Sequence, residues 1–146
     1  MPEKVMTRVM GLDIGDARIG VALSDPLRLT AQPFATIERI GKRSIREIVK
    51  VAEEQNARKV VVGLPLELDG NAGPQALKVR EFAEEIKAAL ERRFGRDEIE
   101  MIYWDERLTT VAAQRVLAGS GLKNKDCSSA LDRVSAALIL EGYLSS

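Results

Sequence analysis

The sequence predicts an α/β fold: a mixed five-stranded sheet, three antiparallel strands followed by βαβ crossovers, with helices on both faces. Three observations carry this reading. The chain opens on two apolar, β-branched runs, one ending in Asp13 and one over 18–23, joined by the turn residues Gly15 and Asp16. The run 59–65 is short, continuously apolar and bounded by Gly63 and Pro65, as in a parallel strand covered on both faces. Segments of helical period alternate with the later strands, so the order reads β-β-β-α-β-α-β-α-α.

Each element follows from its residues. After the opening hairpin, Asp25-Pro26 makes a turn. A third extended segment covers 30–37, and Pro33 marks it as an edge strand or a bulge. Gly41 and Ser44 open a helix in which Ile45, Ile48, Val49 and Ala52 recur at helical spacing, fading at Gln55-Asn56. A loop over 67–73 follows the fourth strand. Pro74 suits the first position of the next helix, whose stripe is Val79, Phe82, Ala83, Ile86, Ala89 and Leu90, ended by Gly95. The fifth strand covers 99–104 and runs into Asp105-Glu106-Arg107. Thr109 or Thr110 caps a helix to about Ala118. A flexible basic loop over 119–125 carries Lys123 and Lys125. Ser128 or Ser129 starts the last helix, with Asp132 in its first turn. No repeat or linker divides the chain, so 1–146 reads as one domain.

Composition narrows the chemistry. The chain has 146 residues, 22 basic and 22 acidic, one cysteine and no histidine. Without histidine there is no Ser-His-Asp or Cys-His nucleophile, and with one cysteine there is no plausible zinc ligand set. Any metal must be a hard cation held by carboxylates, Mg²⁺ or Mn²⁺. The lone Cys127 excludes an internal disulfide and suits a reducing cytoplasm. No apolar run approaches the ~18 residues of a membrane span, and the residues after Met1 open into no signal-peptide apolar stretch. Overall neutrality leaves nucleic-acid binding to local basic patches.

The acids are the candidates for chemistry. Asp13 interrupts a run that should be buried, and a buried charge needs a partner. Glu106 follows the fifth strand, and Asp132 opens the last helix. In a sheet of this kind sites form at the carboxyl ends of parallel strands, which is where Asp13 and Asp105-Glu106 fall. Each acid has a plainer reading. Asp13 caps the turn or pairs with Arg18, Glu106 pairs with Arg107, and Ser129-x-x-Asp132 is a capping box. Taken together, three carboxylates at one end of a sheet repel unless a cation neutralises them. Such a site suits phosphodiester hydrolysis, in which metal activates the attacking water. Arg18, Arg107, Lys123 and Lys125 flank the acids in sequence and are candidates for substrate phosphate. Tyr103 and Trp104 are either base-stacking or core residues.

The segments Gly11-Leu12-Asp13-Ile14-Gly15, Arg18-Ile19-Gly20-Val21-Ala22, Ser24-Asp25, Gly63-Leu64-Pro65, Asp69-Gly70 and Asp105-Glu106-Arg107-Leu108-Thr109-Thr110, with Asp132, Ala136-Ala137 and Ile139-Leu140, resemble the YqgF family. Its members are called Holliday-junction resolvases or pre-16S rRNA nucleases. The resemblance covers nearly the whole chain in order. It implies an RNase H-like fold and a triad of catalytic, metal-holding acids, Asp13, Glu106 and Asp132. It also implies a divalent metal, a cytoplasmic location and a role in maturing the 5′ end of small-subunit ribosomal RNA. The family's basic residue just ahead of the last Asp is missing here, the nearest upstream base being Lys125.

The chain therefore reads as a metal-dependent nuclease acting on pre-rRNA, with branched DNA as the alternative substrate. A monomer and a homodimer are both compatible with the sequence. Two other classes stand beside this reading. One is a non-catalytic nucleic-acid-binding or ribosome-assembly module. In the other, Asp13-x-Gly15 with Arg18-x-Gly20 resembles the phosphate-binding hairpin of the sugar-kinase, actin and heat-shock ATPase superfamily. Those proteins close two such domains over ATP, and this chain has one and no Walker motif.

Overall fold

The computed structural model describes residues 6–108 and 125–146. Its strands are β1 (Arg8–Ile14), β2 (Arg18–Ser24), β3 (Ala31–Glu38), β4 (Ala57–Leu64) and β5 (Glu100–Asp105). Its helices are α1 (Gly41–Glu54), α2 (Pro74–Phe94) and α3 (Lys125–Leu144), with single 3₁₀ turns at Arg96–Glu98 and Glu106–Leu108. The strands form one sheet in the order β3-β2-β1-β4-β5. The pairs β1/β2 and β2/β3 are antiparallel, and β1/β4 and β4/β5 are parallel. This is the mixed five-stranded sheet the sequence predicts.

Alternation along the strands divides the core into two layers. Met10, Leu12 and Ile14 of β1 and Val60 and Val62 of β4 face α1 and α2, where Ile48, Ala52, Val79, Phe82, Ala83, Ile86 and Leu90 meet them. The intervening Val9, Ala22 and Val61 face α3 and pack on Ala136, Ala137, Ile139 and Leu140. Both faces are covered, so β4 has no polar side to show and reads as a continuous apolar run.

Local signals are realised where they concern backbone needs. Pro33 sits in β3, a sheet edge, and the register steps from Val21 opposite Ala35 to Ala22 opposite Pro33. Phe34 is the extra residue of that bulge, which accommodates a residue with no N–H to donate. Pro74 is the first residue of α2, and Gly95, at φ 104°, ends it in a conformation that favours glycine. The buried Ser44 hydroxyl ties the start of α1 together, accepting from the Ile40 N–H and donating to the Glu38 carbonyl at 3.0 Å.

The last helix departs from expectation. It begins at Lys125 rather than at Ser128 or Ser129, so Ser129 and Asp132 lie inside it and form no capping box. Lys125 is helical rather than part of a loop. Tertiary bonds hold this early turn against the sheet. The Ser129 carbonyl accepts from Thr36 Oγ1 at 2.7 Å, and the Asp132 carboxylate is bound by Arg18. A local capping signal is weak beside such contacts. The helix expected from Thr109 or Thr110 to Ala118 lies outside the described residues, as does the 119–124 portion of the basic loop. No helix among the described residues is long and apolar enough to cross a membrane.

α3 lies close on β1. A Cβ built at Gly11 would come within 2.8 Å of Leu140 Cβ and 2.9 Å of the Ala136 carbonyl oxygen. Gly11→Ala should therefore lift the helix and lower unfolding stability by about 1–3 kcal/mol. Chemical denaturation followed by circular dichroism measures this, and an unchanged midpoint would contradict the close approach.

Candidate active site

The pairing register places five residues side by side across the sheet. Thr36 of β3 is opposite Gly20 of β2, Gly20 is opposite Asp13 of β1, and Gly63 of β4 is opposite Trp104 of β5. Leu12 pairs with Val62, so one step further along the parallel ladder brings Asp13 beside Gly63. Asp13 alternates with Leu12 and Ile14, which face α1 and α2, so its carboxylate rises on the α3 face.

The two glycines beside Asp13 leave space that other parts of the chain fill. A Cβ at Gly20 would fall on the backbone oxygen of Asp132. A Cβ at Gly63 would stand 3.0 Å from Glu106 Cγ and Oε1 and 2.5 Å from Ile139 Cδ1. So α3 crosses the sheet with Asp132 on one side of Asp13, and the Glu106 side chain lies on the other. Asp13 is 4 % exposed and Glu106 6 % exposed. The structure thus brings the Glu106 side chain and the backbone of Asp132 to either side of Asp13.

Two arginines flank the row. Arg18, at the start of β2, gives its Nε to Asp132 Oδ2 at 2.7 Å, with both side chains half-buried. In the structure Arg18 thus meets Asp132, an acid the sequence had not paired with it. Arg107 turns to Asp105, with Nη2 at 2.7 Å from Oδ2 and its backbone N–H at 2.9 Å from Oδ1. Its Nη1 donates to the Leu68 carbonyl at 3.1 Å, anchoring the loop after β4. This clasp around the 3₁₀ turn leaves Arg107 and Leu108 exposed and turns Glu106 inward. The bonds from the Arg107 guanidinium hold the Asp105 carboxyl below the usual carboxylate range, against a partial burial that raises it.

Lys123 lies outside the described residues, as does the side chain of Lys125. Trp104 and Tyr103 face opposite layers of the core. Trp104 meets Tyr143 edge-on at 6.1 Å, and Arg80 lies over the Tyr103 ring at 5.1 Å. They pack rather than present a stacking surface. The sequence reading had no role for Gly20 and Gly63, although glycine inside a strand marks close approach. It also missed Thr36, whose hydroxyl ties β3 to α3 and accepts from Arg133 Nη1 at 3.2 Å.

The donors are oxygen only, which fits Mg²⁺ or Mn²⁺. No group of three or more ligating side chains stands close enough to hold a metal among the described residues, and Asp132 is engaged by Arg18. Asp13 and Glu106, sharing one row, match the habit of Mg²⁺, which takes one or two carboxylates and completes its shell with water and substrate phosphate.

Comparison with known proteins gives the family and the fold. The family model described as "RuvX: Holliday junction resolvase" matches residues 7–146. A Clostridium tetani protein named "Putative pre-16S rRNA nuclease" is 44 % identical over 140 residues, covering 95 % of this chain and 96 % of that protein. One of the same name from Clostridioides difficile is 43 % identical over 138 residues, covering 94 % and 93 %. Among solved structures, T. thermophilus RuvC in complex with a Holliday junction substrate has a TM-score of 0.58 at 15 % identity, covering 95 % of both chains. The yeast mitochondrial Holliday junction resolvase has a TM-score of 0.54 at 13 % identity, covering 98 % of this chain and 80 % of that one. The fold is RNase H-like, as the resemblance implies.

The Asp105 clasp has a measurable pH signature. A carboxyl lowered on folding stabilises above its unfolded pKa of about 3.9, and this is lost as pH falls through the folded value. Asp105→Asn should be less stable than wild type at pH 7, and the gap should close as pH drops below about 4. Denaturation midpoints of both proteins across pH 2–7 measure it; a gap that persists at the acid end would show that the charge is not what stabilises.

Proposed function

The chain belongs to the RuvX family, and on that premise we propose that its single domain, residues 1–146, is a divalent-metal-dependent nuclease that hydrolyses phosphodiester bonds at the 5′ end of pre-16S rRNA. The observation that carries this is the row in which Asp13 stands between two glycines, with Glu106 and Asp132 filling the flanking space. The relatives sharing 43–44 % of its residues carry the pre-16S rRNA name, which favours RNA over branched DNA.

In this reading Asp13 and Glu106 hold Mg²⁺ or Mn²⁺, with Asp132 as the third acid. When bound, the cation lowers the pKa of the attacking water and offsets charge on the phosphate. Asp13 is fixed by the central strand, so its carboxylate does not have to be ordered at the moment of reaction. The Arg107 clasp positions Glu106. Arg18 lies at the open edge of the row, where a guanidinium can take a phosphate in a fork of two hydrogen bonds. Lys123 and Lys125 are the further candidates for contact with the strand. Reducing cytoplasm, where rRNA is matured, is the compartment this implies.

The test uses purified protein with a 5′ pre-16S rRNA fragment, an unrelated linear RNA and a four-way DNA junction. Cleavage of the precursor with Mg²⁺ or Mn²⁺, stopped by chelator and not restored by Ca²⁺, is expected. Paired symmetric cuts in the junction alone would favour the branched-DNA reading, and cleavage in excess chelator would refute the metal mechanism. Asp13→Asn and Glu106→Gln should abolish cleavage. Asp13→Asn should also remove the rise in melting temperature that Mg²⁺ confers on wild type.

A second measurement addresses the lysines. Neutralising Lys123 and Lys125 together should weaken RNA binding and reduce its salt slope by up to about two, leaving metal affinity unchanged. An unaltered slope would make them solvated surface.

A further inference from the structure

The Arg18–Asp132 pair occupies a position that a metal-dependent nuclease has to vacate. Asp132 approaches Asp13 from the β2 side, since its backbone oxygen sits over Gly20. Its backbone is held there by the seating of α3, so rotation about its own side-chain bonds is the motion left to the carboxylate. Yet that carboxylate is bound by Arg18 Nε at 2.7 Å, and the described acids do not assemble as a group of three.

We propose that Arg18 changes partners when nucleic acid binds: it holds Asp132 in the free protein, passes to a phosphate of the bound strand, and so releases Asp132 to join Asp13 and Glu106 around the cation. This deepens the nuclease reading and rests on it. Three features support the exchange. The pair is accessible, with the Arg18 side chain 35 % and the Asp132 side chain 23 % exposed, and ion pairs open to water are weak and readily replaced. A phosphodiester is a comparable partner, since its oxygens accept the guanidinium fork bidentately. Space for it exists beside the pair, in a cleft of about 400 Å³ lined by Arg18, Thr36, Glu38, Arg39 and Ser129 among others.

That cleft runs along the edge strand side of the acids. Arg39 also lines it, with its guanidinium bonded to the Gly15 carbonyl at 2.9 Å and lying over the Phe82 ring, and Glu38 is the opposing charge among the described lining residues. Arg133 donates to the hydroxyl of Thr36 in the same wall. A phosphate placed there sits next to the row without entering it. Because Arg18 serves Asp132 or the phosphate but not both, strand binding and cation binding favour each other, each strengthening the other by the same factor. The metal site is then completed only where a substrate phosphate is present.

A double-mutant cycle on the intact protein tests this, with Arg18→Gln, Asp132→Asn and the pair combined. Mn²⁺ affinity is measured without nucleic acid, by electron paramagnetic resonance of free Mn²⁺. Arg18→Gln should tighten Mn²⁺ by about tenfold in the wild-type background and have no effect in the Asp132→Asn background. In chelator, where nothing is cut, fluorescence anisotropy of a labelled single-stranded RNA reads the other half. Asp132→Asn should tighten RNA when Arg18 is present and not when it is Gln. Equal effects in both backgrounds would mean that each charge acts through its general field, and would overturn the exchange. No effect of Arg18→Gln on Mn²⁺ would overturn it too. A wild-type protein that binds no Mn²⁺ at millimolar concentration would remove the nuclease reading itself, an outcome distinct from a failed cycle. Melting curves check folding, and Arg18→Met, which keeps the apolar stem, replaces Gln if that variant does not fold.

Discussion

Asp13 is a carboxylate on β1, the central strand of the sheet, buried to 4 % exposure, with a glycine on each side in the same row. Everything else in the site depends on that arrangement. A side chain at Gly20 would exclude the turn of α3 that carries Asp132, and one at Gly63 would crowd Glu106 and Ile139. The sheet sets the acid, and the missing side chains beside it admit the other two. Placing a charge in a buried row is costly unless partners compensate it, so the same absence of Cβ atoms that lets the helix approach also lets compensating groups in.

The helix that closes this row is seated by contacts of two kinds. Apolar packing of Ala136, Ile139 and Leu140 on Val9, Ala22 and Val61 fixes its height above the sheet. Polar contacts fix its rotation and start: Thr36 to the Ser129 carbonyl, Arg133 to Thr36, and Arg18 to Asp132. β3, an edge strand bent by the Pro33 bulge, thus orients a helix from the far end of the chain. On the other flank the Asp105–Arg107 clasp ties the end of β5 to the loop after β4. The site is framed by arginines on both flanks, each matched to an acid that is not the central one.

The likeness to resolvases at 13–15 % identity shows how little of the sequence this framework constrains. What the shared fold keeps is a hairpin followed by parallel strands and a final helix packed against the sheet. The remainder of the core can be repacked as long as volume and patterning are kept.

Reading the chain alone was sufficient for the mixed sheet and the strand order implied by its crossovers, and it singled out the candidate acids. These depend on short-range facts: period-two and period-3.6 patterning, Pro33 and Pro74 with their fixed φ, and Asp13 interrupting an apolar run. It misplaced the start of α3, because a Ser-x-x-Asp pattern is a local signal, whereas Ser129 and Asp132 answer to Thr36 and Arg18, 93 and 114 residues away. It also left open which acid each arginine meets, since charge near charge in sequence says nothing of distance across a sheet. Only the tertiary structure decided that Arg18 goes to Asp132, that Arg107 goes to Asp105, and that Gly20 and Gly63 are the spaces into which the site is built. Register and helix height, both long-range quantities, determine those pairings.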